Sequence, residues 1–221
     1  MDAYAAASHL IDYHRRRSGL AVWSHTEVKE CVKQEEQYKV VAVNGCRIQC
    51  KYVVIAAGFE AGAFLPEKVM DLTSTYAIIS QPVDEQFLWH KHSLIWETKE
   101  PYLYIRTHGN RIIVGGEDEN FKNPVLRDKL LRKKVAILEK KIHKLFPEIP
   151  FVTDFAWCGT FSTTKDGLPY IGNWPGDKNM LYALGYGGNG ITFSMIAAQI
   201  IRNKIKGISD NREKIFGFER R

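Results

Sequence analysis

The sequence is poor in cysteine and has no long apolar run. Four cysteines, Cys31, Cys46, Cys50 and Cys158, in a chain of 221 residues do not make a disulfide scaffold. No two form a Cys-x-x-Cys pair, so no zinc or other metal site is expected. Such thiols fit a reduced, cytoplasmic protein. Nothing approaches the roughly 20 apolar residues that span a bilayer. The longest candidate, Ile191 to Ile201, is interrupted by Thr192, Ser194 and Gln199. Near the start, Asp2, His9 and Asp12 stand where a signal peptide needs an apolar core. Charged residues at 25% exclude wholesale disorder.

The length fits one large domain or two small ones, at roughly 100–200 residues per domain. The formal net charge is +6 and the pI about 9.0. That balance invites a nucleic-acid reading until the charge is located. Arg127 to Lys144 holds eight Lys or Arg and two acids, an excess equal to the whole +6. Within it Leu131, Val135, Leu138, Ile142 and Leu145 recur at alternating four- and three-residue steps, the mark of a helix with one buried stripe. Lys129, Arg132, Lys133, Lys140 and Lys144 fall mostly off the stripe, on a solvated face. Phe146 is the one aromatic nearby, so nothing there would stack on bases. Neither nucleic acid nor membrane is expected as a partner.

Asp2 to Arg17 reads as a helix, with Asp2 as N-cap and Gly19 as its stop. A strand is expected at Leu20 to Trp23, and Val28 lies in the next extended stretch. Asn44-Gly45 between Tyr38–Val43 and Cys46–Tyr52 is a strong hairpin signal. Val53 to Gly58 is a short all-apolar strand ending in glycine, typical of a parallel sheet covered on both faces. Tyr76–Ser80, Leu94–Trp96 and a hairpin of Tyr102–Arg106 with Arg111–Gly115 follow. After the basic helix come an extended Phe155–Phe161, a turn at Asp166-Gly167-Leu168-Pro169, a buried strand at Met180–Leu184 and a helix at Ile191–Lys206. The tail from residue 208 is polar, with little to bury.

Gly185-Tyr186-Gly187-Gly188-Asn189-Gly190 matches G-x-G-x-x-G, and Asp210 lies twenty residues beyond Gly190. That is the written dinucleotide fingerprint. It also needs a second parallel strand after the helix, and the sequence from Ile208 to Arg221 offers none. The local physics survives: glycines ahead of a helix let backbone approach a ligand, and free N–H groups there favour negative charge. Gly187 to Thr192 is therefore either an anion or cofactor contact or a tight strand-to-helix turn that needs glycine.

The set Trp157-Cys158-Gly159, Asp166-Gly167-Leu168-Pro169-Tyr170-Ile171-Gly172 and Leu181 to Thr192 resembles the C-terminal signature of the FAD-dependent amine and amino-acid oxidoreductases. These are the relatives of glycine oxidase, D-amino-acid oxidase and sarcosine oxidase. Asp2 to Val28, the meander with Val53-Val54-Ile55-Ala56-Ala57-Gly58, and Tyr102 to Glu117 resemble further parts, so the likeness runs from Asp2 to about Gly207. Family members open with a βαβ unit that holds the FAD pyrophosphate. This chain resembles the portion after it, so FAD affinity is expected to be weak or absent in the chain alone. The resemblance implies an α+β, α/β-derived fold. A partial FAD-binding domain with a β-meander would comprise 1–62 and 154–207. A mixed-sheet substrate-binding domain would comprise 63–153, and 208–221 would be a polar tail.

The resemblance also implies roles. Val28 would contact FAD through its backbone, Ala57 and Gly58 would lie against it, and Gly187, Gly188, Asn189, Gly190, Ile191 and Thr192 would present amides to the flavin's pyrimidine edge. The alternatives are an ordinary strand residue at Val28 and a packing strand end at Ala57-Gly58. The chemistry belongs to the cofactor, so no acid–base triad is needed and no catalytic side chain is assigned. Some relatives clamp the substrate carboxylate with an arginine two residues after Trp-x-Gly; here Phe161 stands there, as a wall for a secondary or larger amine or as core. Tyr102, Tyr104 and Arg106 share a strand face. Arg106 would read an acid group on the substrate, or be a solvated strand arginine. Tyr186 would line the pocket or pack. Ile113 stands where sarcosine oxidase relatives carry an oxygen-activating lysine, which points away from a fast oxidase. Cys158 falls one residue off their flavin-attachment cysteine and reads as a buried free thiol.

The expected function is thus part of an enzyme that oxidises the C–N bond of an amine or amino acid. The alternative is a non-catalytic interaction module, homodimerising through unpaired sheet edges.

Overall fold

A computed structural model describes residues 2–99 and 101–220. The chain divides into two compact units: Met1–Ala57, Pro169–Leu184 and Asn189–Arg221 form the first, Gly58–Leu168 and Gly185–Gly188 the second.

In the first unit, α1 (Ala3–Ser18) starts on Asp2, whose side chain accepts from the Ala5 amide, and ends at left-handed Gly19. The expected strand at Leu20–Trp23 does not form: no ladder bonds hold it, and Leu20, Val22 and Trp23 are exposed. An apolar stretch becomes a strand only when an edge is available to pair with. β1 (Val28–Gln34), β2 (Gln37–Ala42) and β3 (Arg47–Cys50) make the expected antiparallel meander. Its second turn closes at Asn44-Gly45, where Gly45 has φ 86° and the Asn44 side chain accepts from the Cys46 amide. β4 (Val53–Ile55) runs parallel to β11 (Met180–Leu184), which pairs antiparallel with β10 (Tyr170–Asn173). Asp177 ties the meander to this sheet, taking the Tyr38 hydroxyl and the Lys33 ammonium. α3 (Gly190–Ile205) packs on β10 and β11 through Ala197, Ile200 and Ile201.

The tail, expected to be polar with little to bury, does bury apolar rings. It forms a short helix, α4 (Glu213–Phe216), and a final turn that buries Phe216 and Phe218. Phe218 is 2% exposed and stacks on Tyr170 at 4.8 Å. Two phenylalanines spaced by one residue were enough to dock a segment whose other residues are polar.

In the second unit, β5 (Asp71–Ser80), β6 (Ile95–Trp96), β7 (Leu103–His108), β8 (Arg111–Asn120) and β9 (Thr153–Thr163) form one sheet in the order β6-β7-β8-β5-β9. Every pairing in it is antiparallel; the mixture of strand directions expected here lies instead in the first unit. The compact units also break elsewhere than at residues 62 and 154, because β9 pairs along the full length of β5. The basic helix is α2 (Pro124–Leu145). Leu138 and Ile142 of its stripe are fully buried against Tyr76, Ile78, Leu103, Ile105, Ile112 and Val114. Lys129, Arg132, Lys133, Lys140 and Lys144 are exposed, as the spacing required. Lys134 is the surprise, 5% exposed and paired with Glu117 and Glu119.

Candidate functional site

Helix α2 covers one face of the five-stranded sheet, and the register fixes what the other face carries. One row across it reads Trp96, Tyr104, Gly115, Ala77, Trp157. The next reads Arg106, Ile113, Ile79, Phe155. Alternation along β9 puts Phe161 on the same face, opposite Thr73. This face is open: Trp96, Trp157 and Phe155 are 61%, 44% and 64% exposed. Three bare aromatic rings on one sheet make this face the candidate binding surface.

The aromatic side chains are held in place by the backbone beneath them. The Tyr104 ring lies over Gly115, where any Cβ would collide with it. Tyr102, just before β7, sets its ring edge-on to Trp96 at 5.7 Å and tilted against Tyr104 at 6.1 Å. Burial raises the Tyr104 phenol above its ordinary value, and the Asp118 charge adds to this. A Thr75 hydrogen bond and the nearby Arg106 charge work the other way. Tyr104 therefore stays protonated near neutral pH and acts as a hydrogen-bond donor. Arg106 is half-buried and donates to the Thr107 carbonyl over a long 3.5 Å. Among the described residues it has no carboxylate within ion-pair distance.

Asp118 reaches this neighbourhood through a β-bulge. The β5–β8 register shifts between Ser74 and Tyr76. Gly116 has φ 138° and Glu117, not a glycine, has φ 57°. The extra residue reverses the alternation. Glu117 turns to the helix side, where it meets Lys134 and Lys141, and Asp118 acts electrostatically on Tyr104.

The structure thus brings Tyr102, Arg106 and Phe161 onto one face with Tyr104, and adds Trp96 and Trp157, which the sequence alone does not single out as site residues. Tyr104 was visible in the period-two pattern; the two tryptophans needed the sheet order. Cys158 sits on the opposite, helix-covered face, with its thiol 3.2 Å from Asp128. Burial, then the Asp128 hydrogen bond, raises that thiol.

The glycine segment lies where the chain passes between units. Gly187 has φ 54° and donates its N–H to the Ser162 carbonyl at 2.9 Å, docking Gly185–Gly188 on the end of β9. Tyr186 is half-buried, and burial pushes its phenol up to about 12. Asn189, Gly190, Ile191 and Thr192 belong to the first unit and open α3. Asn189 makes no side-chain capping bond, so the first-turn amides are uncapped. β4 and β11 run parallel into this end, which puts exposed Ala57 at the carboxyl edge of the same two strands. Carboxyl edges of parallel strands are where open α/β sheets take ligands. Gly58 (φ 58°) and Gly188 face open space. Val28 begins β1 opposite Ala42 and is partly exposed.

Residues 1–203 match the DAO family, FAD dependent oxidoreductase. The chain belongs to that family. It is 26% identical to glycine oxidase of Bacillus subtilis over 209 residues, covering 90% of this chain and 53% of that protein. A shorter match, 34% over 68 residues, is to γ-glutamylputrescine oxidoreductase of Escherichia coli, covering 30% of this chain and 16% of that protein. Among solved structures, glycine oxidase from Geobacillus kaustophilus superimposes with TM-score 0.75 at 19% identity, covering 95% of this chain and 56% of that one. L-proline dehydrogenase from P. horikoshii gives TM-score 0.75 at 19% identity, with 97% and 59% coverage. The chain spans about half the length of the curated relatives it matches.

The residues present fit a flavin. The uncapped first-turn amides of α3 supply donors for an anionic ring edge. No helix among the described residues is long and apolar enough to cross a membrane.

Proposed function

We propose that this chain is part of an FAD-dependent oxidoreductase that oxidises the C–N bond of a secondary or larger amine bearing an acid group. The observation that carries the reading is Arg106: a half-buried guanidinium with no carboxylate partner among the described residues, set on a bare aromatic sheet face. Family membership and the relative named for γ-glutamylputrescine support it.

FAD, when bound, supplies the two-electron acceptor. Val28, Ala57, Gly58 and the Gly187–Thr192 backbone would hold it, and the α3 N-terminus favours negative charge beside it. Arg106 binds the substrate's acid group, with the Tyr104 hydroxyl as a neutral second donor. Trp96, Tyr102 and Trp157 exclude water from the apolar part and offer ring faces to an amine. Phe161 cannot replace a bidentate carboxylate clamp, so a simple α-amino acid is the poorer substrate. Tyr186 completes the wall beside Gly187. Ile113, adjacent to Arg106 across the ladder, offers no charge to assist oxygen, which favours a dehydrogenase.

Titrating the purified chain with FAD tests cofactor binding: only weak, low-affinity quenching of flavin fluorescence is expected from this chain alone, and unchanged fluorescence refutes binding by it. In flavin-loaded protein, anaerobic addition of acid-bearing secondary amines should bleach the flavin. Arg106→Ala should weaken such an amine roughly tenfold or more, and a neutral amine far less. Equal losses would remove Arg106 from substrate recognition.

A further inference from the structure

A cavity of about 320 Å³ lies on the helix-covered side of the five-stranded sheet, away from the open face. Its floor is Ser74 and Tyr76, both buried, and its walls carry Leu126 and Leu130 from the first two turns of α2. Three cations line it: Lys122 from the segment after β8, and Arg127 and Lys129 from α2. The single lining acid, Glu119, is taken up by Lys134 at 2.7 Å. Lys122 and Lys129 have no carboxylate within ion-pair distance among the described residues.

Such an arrangement opposes the usual electrostatics of a helix start. The first turn of α2 holds no acidic residue, although negative charge is what stabilises that end. With Glu119 taken by Lys134 and Asp128 by Arg127, the charges of Lys122 and Lys129 remain, and a bound anion would relieve them. The cavity is also concave and partly apolar, and its size falls at the lower bound of small-molecule sites, roughly 300–1,000 Å³.

We propose that this cavity binds a small phosphomonoester, its phosphate between Lys122 and Lys129 and its apolar body against Leu126 and Leu130. The choice of phosphate over carboxylate follows from the donors left over. The Arg127 fork, which would suit a planar carboxylate, is already engaged by Asp128 at 2.8 Å and the Thr160 hydroxyl at 3.0 Å. What remains are two separate ammonium point charges, which suit a tetrahedral dianion. The site uses none of the residues assigned to flavin or amine, so it stands or falls independently of the oxidoreductase reading.

The test is amide NMR and calorimetry on the whole chain with phenyl phosphate, benzoate and inorganic phosphate as probes. Phenyl phosphate should give saturable shifts confined to 120–130 and bind at least tenfold tighter than benzoate. Inorganic phosphate should perturb the same amides more weakly. Lys122→Gln with Lys129→Gln should lower phenyl phosphate affinity tenfold or more, with an unchanged circular dichroism spectrum and melting curve. Lys133→Gln, on the exposed face of the same helix, should retain wild-type affinity. Non-saturating shifts, equal binding of benzoate, or an equal loss in the Lys133 variant would overturn the site and leave only diffuse basic charge.

Discussion

Replacing Lys134 by methionine removes one charge from the middle of α2 while keeping the length and apolar character of the side chain. In the native fold its ammonium lies 2.7 Å from Glu119 and 3.6 Å from Glu117, and 5.5 Å from the centre of the Tyr76 ring. The Lys134 and Glu117 side chains are 7% and 11% exposed. Breaking a buried pair by removing one partner costs about 3–5 kcal/mol, because the other charge stays buried. Here Lys141 also reaches Glu117, so the loss should fall at the lower end, about 3 kcal/mol. Glu117 must also be held at φ 57°, a conformation that costs a non-glycine residue roughly 1–3 kcal/mol. Two ammonium groups, Lys134 and Lys141, meet its carboxylate in that conformation. Urea unfolding of the wild type, Lys134→Met, Glu117→Gln and the double variant would give the coupling energy directly. A coupling of about 1.5–3 kcal/mol is expected. A coupling near zero, or a Lys134→Met variant as stable as the wild type, would refute the claim that this pair anchors the bulge.

Phe218→Ala should destabilise the first unit by about 3–5 kcal/mol, the cost of emptying a buried aromatic site; a chemical denaturation midpoint close to wild type would show that the tail's packing is dispensable. Burial raises Tyr186 to about 12 from 10.0. Its contribution to stability is therefore complete below about pH 10 and is lost as the pH rises through about 12. Denaturation midpoints collected between about pH 9 and about pH 11 should fall less steeply in Tyr186→Phe than in the wild type; parallel curves would contradict the burial of this phenol.

Local signals were legible where the residues themselves enforce the geometry. Asn44-Gly45 closed its hairpin and Asp2 capped its helix, and the leucine and isoleucine spacing of α2 named the side that packs. The signals failed where pairing or parity depended on distant chain. Leu20–Trp23 has strand-forming residues but no edge to bond with. The tail reads as polar with little to bury, and the burial of Phe218 depends on the rings of Tyr170 and Tyr182, far away in sequence. Lys134 and Glu117 could not be foreseen as buried, because strict alternation sends Glu117 to the other face and only the bulge reverses it. Of the candidate site, Tyr102, Arg106 and the glycine segment came from pattern and resemblance. Trp96 and Trp157 entered only with the strand order, since they lie in segments far apart in sequence.

The same strand order has a kinetic consequence. β7 and β8 are joined by a tight turn and close a short loop, whereas β5 must wait for β9, with Asp71 finally opposite Thr163. Long loop closures carry a larger entropic cost and slow folding. β9 is therefore expected to be the last strand to dock, after the hairpin and α2 have assembled. Until it does, the emerging sheet shows Tyr104 and Arg106 without Trp157 or Phe161, and Gly187 has no Ser162 carbonyl to hold it. Completion of the aromatic face and seating of the glycine segment thus become one late event in the life of each new chain.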